Sequence, residues 1–327
     1  MIVTVTPNPS IDRTVTLPVE LVRGAVHRVS SVSSEPGGKG VNVARALRLA
    51  GIDVITVLPA GDHDPILAAL RAIDVEFHRV PVTAAVRTNL AITESDGTTT
   101  KINEPGAVVE PVDIDALTQA VAEHARAAQW VVLSGSLPPG MSDGWYSDMV
   151  VALRPYGCKV AVDTSDGPLA ALAANLDRAA PDLIKPNSEE LAGLSGVTAE
   201  SLESAVRRGD SAPVVSAARR LIDRGVGAVL ATLGAAGAVL VDADGAWLAT
   251  PPPITPRSTV GAGDSALAGY LRAHIDGADA PLRLQMAVAY GSGAAALPGT
   301  ALPSPGQINL DDVVVTAVST PNPKVSS

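Results

Sequence analysis

Glu35-Pro-Gly-Gly-Lys-Gly-Val-Asn-Val-Ala-Arg-Ala-Leu47 sets a run of glycines directly against a helix that closes at Gly51. Glycines at such a junction let backbone amides approach a ligand at the positive end of the helix dipole, so the segment reads as an anion-binding loop. Two nucleotide motifs fail on it. A Walker A loop needs Ser or Thr after its Gly-Lys and an earlier glycine, and here Gly40 and Ser33 fill those places. A dinucleotide fingerprint needs a small third residue where Val43 stands, directly after a buried strand, and the stretch before it is polar.

Outward from this junction, strand and helix patterns alternate. Apolar strands are expected at 54–58, 75–80, 130–133, 159–162, 183–184 and 228–233. Amphipathic helices are expected at 65–72, 114–127, 143–153, 169–176 and 214–223. Short apolar strands separated by helices imply an α/β fold, a parallel sheet covered on both faces. Two pairs break the rhythm: 13–17 with 28–33, and 87–94 with 98–103, are polar alternating strands with no helix between them. Ser95-Asp96-Gly97 joins the second pair as a hairpin turn. Such strands inserted into an α/β chain are expected to form a small sheet standing off the main one, as a lid. The segments 207–213 and 319–327 read as irregular, the second as a disordered tail, and 197–213 as a polar surface excursion of unassigned role.

Composition narrows the function classes. With 46% hydrophobic and 18% charged residues over 327 positions, the chain has ample core material. Only 2% are aromatic, so the core must be aliphatic and stacking platforms for single-stranded nucleic acid are not expected. A net charge of −10 and a pI near 4.9 argue against nucleic acid and against an anionic membrane surface. The single Cys158 excludes an internal disulfide and a thiolate metal site, and it reads as a buried strand thiol. The uncharged stretch 225–241 is interrupted by Gly-Ala-Ala-Gly and reads as strand–turn–strand, not a membrane span. No basic targeting region opens the sequence, so a soluble cytoplasmic protein is expected. Lysine is scarce, five residues beside 19 arginines, yet Lys39, Lys101 and Lys185 all fall in unusual local sequences. A compact ammonium suits phosphate.

The second unusual stretch is Ser258-Thr-Val-Gly-Ala-Gly-Asp-Ser265. Gly261, Ala262 and Gly263 open a helix, so their amides can form an anion hole, and Asp264 follows in the first turn. Asp264 could be only a helix cap; an ionised carboxylate beside an anion hole is also what deprotonating a hydroxyl next to a phosphoryl group requires. Lys185-Pro-Asn-Ser-Glu-Glu190 places Asn187 and Glu190 one turn apart, which suits a hydrated Mg²⁺ or merely a solvated helix start. Thr232-Leu-Gly-Ala-Ala-Gly237 joins two strands, and Ser134-Gly-Ser-Leu-Pro-Pro-Gly140 is a rigid loop at the ligand-binding end of a parallel sheet. The five histidines have no metal-ligand spacing.

With these strings in order, and with Thr4-Val-Thr-Pro-Asn-Pro-Ser-Ile-Asp12 ahead of them, the sequence resembles the PfkB group of ribokinase-like sugar kinases from residue 1 to about 318. Within the group it looks most like the bacterial 1-phosphofructokinases and tagatose-6-phosphate kinases, and Thr100-Lys-Ile-Asn-Glu-Pro-Gly106 favours the former. The resemblance implies one three-layer domain over 1–318, with lid strands inserted at about 12–33 and 87–103, and a homodimer through the lid. It implies ATP-dependent, Mg²⁺-assisted phosphorylation of a sugar phosphate, fructose 1-phosphate being expected, with tagatose 6-phosphate and fructose 6-phosphate as alternatives. Asp264 would be the base, with Gly261, Ala262 and Gly263 stabilising the transferred phosphoryl. Asp12, Gly37, Gly38, Lys39, Asn42, Asn103 and Ser136 would hold the sugar, and Arg87 and Lys101 its phosphate. Lys185, Asn187, Thr232, Gly234, Gly237 and Gly263 would line the nucleotide, and Glu190 would hold the metal through water. A non-catalytic sugar-phosphate sensor on this fold is the rival that loss of Asp264 would have marked. A dinucleotide oxidoreductase lacks its strand–glycine–helix unit with a ribose-binding acid.

Overall fold

Strands of β-branched residues joined by amphipathic helices give, in the computed structural model of the chain, a wide sheet with helices on both faces; residues 1–318 are described. The chain opens with β1 (Ile2–Val5), β2 (Ser10–Thr16), β3 (Ser31–Gly37), α1 (Lys39–Leu49), β4 (Val54–Ala60), α2 (Pro65–Ala72) and β5 (Glu76–Pro81). The hairpin β6 (Arg87–Thr93) and β7 (Thr99–Asn103) follows, then α3 (Pro111–Ala125), β8 (Trp130–Ser134), α4 (Trp145–Leu153) and β9 (Lys159–Asp163). Next come α5 (Asp166–Ala174), α6 (Leu176–Ala179), β10 (Leu183–Ile184), α7 (Ser188–Ser195), α8 (Ala199–Arg207) and α9 (Ala212–Ile222). The chain continues through β11 (Ala228–Thr232), β12 (Ala238–Asp242), β13 (Ala246–Thr250), α10 (Ala262–Ile275), α11 (Ala280–Ala295) and β14 (Val314–Ala317).

Ten strands form the main sheet in the order β14-β13-β12-β11-β10-β9-β8-β1-β4-β5, parallel from β11 to β5 and antiparallel beyond. Alternate residues feed two cores, as the period of two demands. Val3, Val5, Val131 and Leu133 pack under helices α3 to α9, while Ile2, Val54, Trp130 and Val132 pack under α1, α2, α10 and α11. That is the three-layer α/β arrangement expected. From β1 the chain goes to β4 on one side and returns later to β8 on the other. The crevice at such a switch point, outside the carboxyl ends of the strands, is where α/β sheets bind ligands.

The polar strands form a separate four-stranded sheet, β3-β2-β6-β7, with β2 and β6 parallel and the outer pairs antiparallel. Register puts Asp12 beside Glu35 and Asn89, and Asn89 beside Asn103. One face therefore carries polar residues; Val15, Val32, Leu90, Ile92 and Ile102 alternate onto the other.

Several expectations need correction. The strand expected at 28–33 lies at Ser31–Gly37, so Pro36 is inside a strand. As an edge strand, β3 tolerates the missing N–H of proline. Residues 197–213 are not a surface excursion. Thr198 caps α8 by accepting from the Ser201 amide, and Leu202, Ala205 and Val206 are buried on its inner side. Charged residues on the outer side of α8 masked that stripe. Cys158 is partly exposed and precedes β9 rather than lying buried within it. Strands β13 and β14 and helix α11 had no sequence assignment. The tail at 319–327 lies outside the described residues. Among the described residues no helix is long and apolar enough to cross a membrane.

Candidate active site

The carboxyl edge of the sheet concentrates charge around one residue, Asp163, the last of β9 and wholly buried. Lys39, the first residue of α1, brings Nζ to 2.8 Å from Asp163 Oδ1. Lys185, directly after β10, brings its ammonium to 3.1 Å from Oδ2. Burial favours a neutral Asp163, but Lys185 and Lys39 outweigh it and hold the carboxyl below the usual carboxylate range. Burial likewise works against the Lys39 ammonium, yet Asp163, Asp264 and Glu190 keep it firmly protonated.

Asp264 stands in the first turn of α10, 7% exposed, and its Oδ2 accepts from Asn42 Nδ2 at 2.9 Å. Burial, then the nearby Asp163, push its carboxyl up to about 6, against the pull of Lys39, Asn42 and Lys185. A carboxylate so tuned remains ionised at neutral pH and accepts a proton readily. Gly261 caps α10 at φ 77°, a left-handed conformation that favours glycine. A side chain at Gly263 would come within 3.3 Å of Lys185 Nζ, so that ammonium borders the amides opening α10.

Above this floor hangs the polar face of the small sheet. Asp12 Oδ1 accepts from Ser10 Oγ at 2.7 Å and from Asn89 Nδ2 at 2.9 Å, which fixes the carboxylate. The same carboxylate lies against Gly37, where a Cβ would sit 2.3 Å from it, so a larger residue there would displace the carboxylate. Gly38 and Gly40 press equally closely on Thr6 and on the end of β1, which seats α1 on the sheet. Arg87 opens β6, donating to the Glu104 carbonyl at 3.0 Å and to Ser136 Oγ at 3.3 Å, while its Nε is buried without a partner. Burial lowers the Arg87 pKa, and Asp12 and Glu104 oppose that. Arg87, Ser136, Asp143 and Asp166 line a cavity of about 450 Å³ beside the cluster.

On the far side, Asn187 and Glu190 form a reciprocal cap at the start of α7, each side chain accepting from the other's amide at 2.8 Å. Glu190 Oε1 stays turned toward Lys39 at 4.0 Å, and burial raises the Glu190 carboxyl. The Thr232 amide donates to the Pro186 carbonyl, bringing the Thr232–Gly237 loop beside Asn187. Gly237, at φ 101°, has the Ala249 carbonyl where a Cβ would lie. Gly234 has open space around it.

Of the residues singled out in sequence, Lys39, Asn42, Lys185, Asn187, Glu190 and Asp264 converge, with Gly261, Ala262 and Gly263 forming one edge. Asp12, Gly37, Arg87 and Ser136 face them. Lys101 and Asn103 are exposed on the outer strand β7, on the same face of the small sheet as Asn89 and Asp12. Lys101 is opposite Ala91, four residues from Arg87, which at about 3.4 Å per residue sets their backbones about 14 Å apart along the strand. Sequence reasoning missed Asp163 and Asn89. The signal available for Asp163 was an acid ending an otherwise apolar strand, Lys-Val-Ala-Val-Asp.

The chain has relatives among known proteins. The family model for pfkB family carbohydrate kinases matches residues 5–307. A 1-phosphofructokinase of Rhodobacter capsulatus is 38% identical over 314 residues, 94% of each chain. That of Escherichia coli K12 is 33% identical over 292 residues, 88% of this chain and 89% of its own. Among solved structures, phosphofructokinase-2 of Escherichia coli in complex with substrates and products superposes with a TM-score of 0.84 at 30% identity, covering 94% of this chain and 96% of that one.

Proposed function

The chain belongs to the pfkB family of carbohydrate kinases, and from that premise we propose that it is a 1-phosphofructokinase, transferring the γ-phosphoryl of ATP to fructose 1-phosphate to give fructose 1,6-bisphosphate and ADP. The observation that supports this most is a raised, buried carboxylate, Asp264, in the first turn of α10 beside the amides of Gly261, Ala262 and Gly263, and bonded to Asn42 of α1. The acceptor phosphate binds Arg87 and Ser136, whose donors converge and include the unpartnered Nε. Asp12, its orientation fixed by Ser10 and Asn89, holds sugar hydroxyls. The far hydroxymethyl then reaches Asp264, which takes its proton as the oxygen attacks. Amides at Gly261, Ala262 and Gly263, with Lys185, stabilise the charge on the phosphoryl in flight.

Lys39 and Lys185 face Asp163, Asp264 and Glu190: two ammoniums against three carboxylates. A triphosphate entering this field needs further positive charge. A divalent cation fits the Glu190 carboxylate, a hard oxygen donor, because Mg²⁺ keeps several waters and needs few protein ligands; among the described residues no group of three acids forms a closed metal site. Glu190, through water, would hold it, and it would neutralise phosphate charge.

We propose further that two copies pair through the lid, covering Val32 and Ile102 and the exposed Val19, Val22 and Val26 of the β2–β3 excursion. We propose a cytoplasmic location, in keeping with a reaction that consumes ATP; among the described residues no helix is long and apolar enough to cross a membrane.

The test is kcat/KM by coupled ADP release for fructose 1-phosphate, fructose 6-phosphate, tagatose 6-phosphate and free fructose. Fructose 1-phosphate should lead. Preference for either other phosphate overturns the substrate and keeps the kinase; preference for free fructose overturns the role of Arg87.

A further inference from the structure

Along α1, Lys39, Asn42 and Arg45 recur every three residues and so share one side of the helix. The first reaches Asp163 and the second Asp264. Arg45, 11% exposed, reaches the opposite way, into the lid strand β3. Its guanidinium pairs with the Glu35 carboxylate and donates to the Pro36 carbonyl at 3.2 Å. The same NH1 group lies 3.4 Å from Asn42 Oδ1.

The chemistry of these groups fixes the order of the chain. A carboxylate only accepts, so Asn42 must turn its NH₂ toward Asp264, which leaves its carbonyl facing Arg45. A guanidinium only donates, so Arg45 is the complementary lock on that orientation. Without it Asp264 alone holds the amide, whose orientation loosens and whose bond to the ionised carboxylate weakens. Glu35 is also the cross-strand neighbour of Asp12. Strand β3, paired with the strand that carries Asp12, is thereby tied to Asn42 and Asp264.

We propose that Arg45 is a positioning residue for phosphoryl transfer: it locks the Asn42 amide, and through it the Asp264 carboxylate, to the seat of lid strand β3. This rests on the reading of Asp264 as the base. The alternative is that Arg45 only anchors α1 to β3 through Glu35.

Arg45→Lys separates the two, because an ammonium can keep the Glu35 pair but cannot span Glu35, Pro36 and Asn42 together. Expected is a folded protein whose kcat falls about 10–100-fold, the scale of a small misplacement of a catalytic group, with KM for ATP little changed. The acid limb of the kcat profile should also move to higher pH. The groups facing Asp264, namely Asp163, Lys39 and Lys185, are the same in both proteins, so the shift isolates Asn42. Titration of the Asp264 carboxyl carbon in ¹³C-aspartate-labelled protein reads the same change without substrate. Wild-type kcat in Arg45→Lys, or a lowered kcat with an unmoved titration, overturns the proposal. An inactive wild-type enzyme overturns the functional reading instead, and the carbon titration then decides alone: an upward shift supports the lock and none refutes it. Arg45→Met, which also removes the ion pair, should be at least as impaired; higher activity than Arg45→Lys would refute the lock.

Discussion

Asp264→Asn should weaken the reaction and strengthen the fold. Burial and Asp163 raise this carboxyl from an ordinary 3.8 to about 6, so the native state opposes its ionisation. For an acid whose folded pKa is raised, stability is highest below the unfolded value and is lost as pH climbs through the folded one. The interval of about 2 pH units corresponds to about 3 kcal/mol of destabilisation, fully present at pH 7 and under about 1 kcal/mol at pH 4. Asparagine carries no charge to bury, and its carbonyl can still accept from Asn42. Asp264→Asn should therefore gain up to about 3 kcal/mol at pH 7, several degrees in melting temperature, and much less at pH 4. The same substitution removes the proton acceptor, so kcat should fall about 10²–10⁴-fold. Urea unfolding at the two pH values, beside turnover by coupled ADP release, measures both effects. Near-normal turnover would refute the assignment of the base. Lost turnover with no pH-dependent gain in stability would refute the electrostatic account of the site.

Arg87→Met should raise KM for the sugar phosphate by about 10-fold or more, the worth of one charge-assisted contact, with KM for ATP nearly unchanged. Lys101→Ala, on the exposed outer strand, should do far less in the same assay, and an equal effect would put Lys101 at the phosphate. Gly37→Ala forces a methyl against the Asp12 carboxylate, so sugar KM should rise while ATP KM holds; unaltered sugar KM would show that Asp12 has room to move. His274, which accepts from Trp130 Nε1 and is pushed down to about 4 by burial and by Arg283, favours its neutral form in the fold. Stability should thus be full above pH 6.5 and decline as pH falls toward 4, less steeply in His274→Gln; identical pH profiles in denaturant melts would remove His274 as a cause.

What the sequence reveals follows from how local each signal is. Gly-Gly-Lys-Gly and Gly-Ala-Gly-Asp announce themselves because each packs its function into a few adjacent residues at a helix start. The alternation of apolar strands and helices is equally local, and the three layers follow from it. Asp163 escapes such reading: one acid at a strand end has no distinctive neighbourhood, and its importance comes from Lys39 and Lys185, brought from distant segments by β9 and β10. Asn89 is hidden likewise, since only the parallel pairing of β2 with β6 sets it beside Asp12. Arg87 and Lys101 share a hairpin in sequence, and only the register shows that four strand residues lie between their backbones. Helix α8 was masked by its charged face, although Thr198 supplied a cap and Leu202, Ala205 and Val206 the apolar stripe.

On the proposed function, a phosphate held at Arg87 should place the opposite hydroxymethyl of the same sugar at Asp264. Following fructose 1-phosphate and ATP with the enzyme by ³¹P NMR tests it most directly. A second phosphate ester should grow in on carbon 6 in step with ADP, leaving the 1-phosphate signal intact, and Asp264→Asn should abolish that growth. Release of inorganic phosphate without a new sugar ester, or transfer to another carbon, would contradict the account.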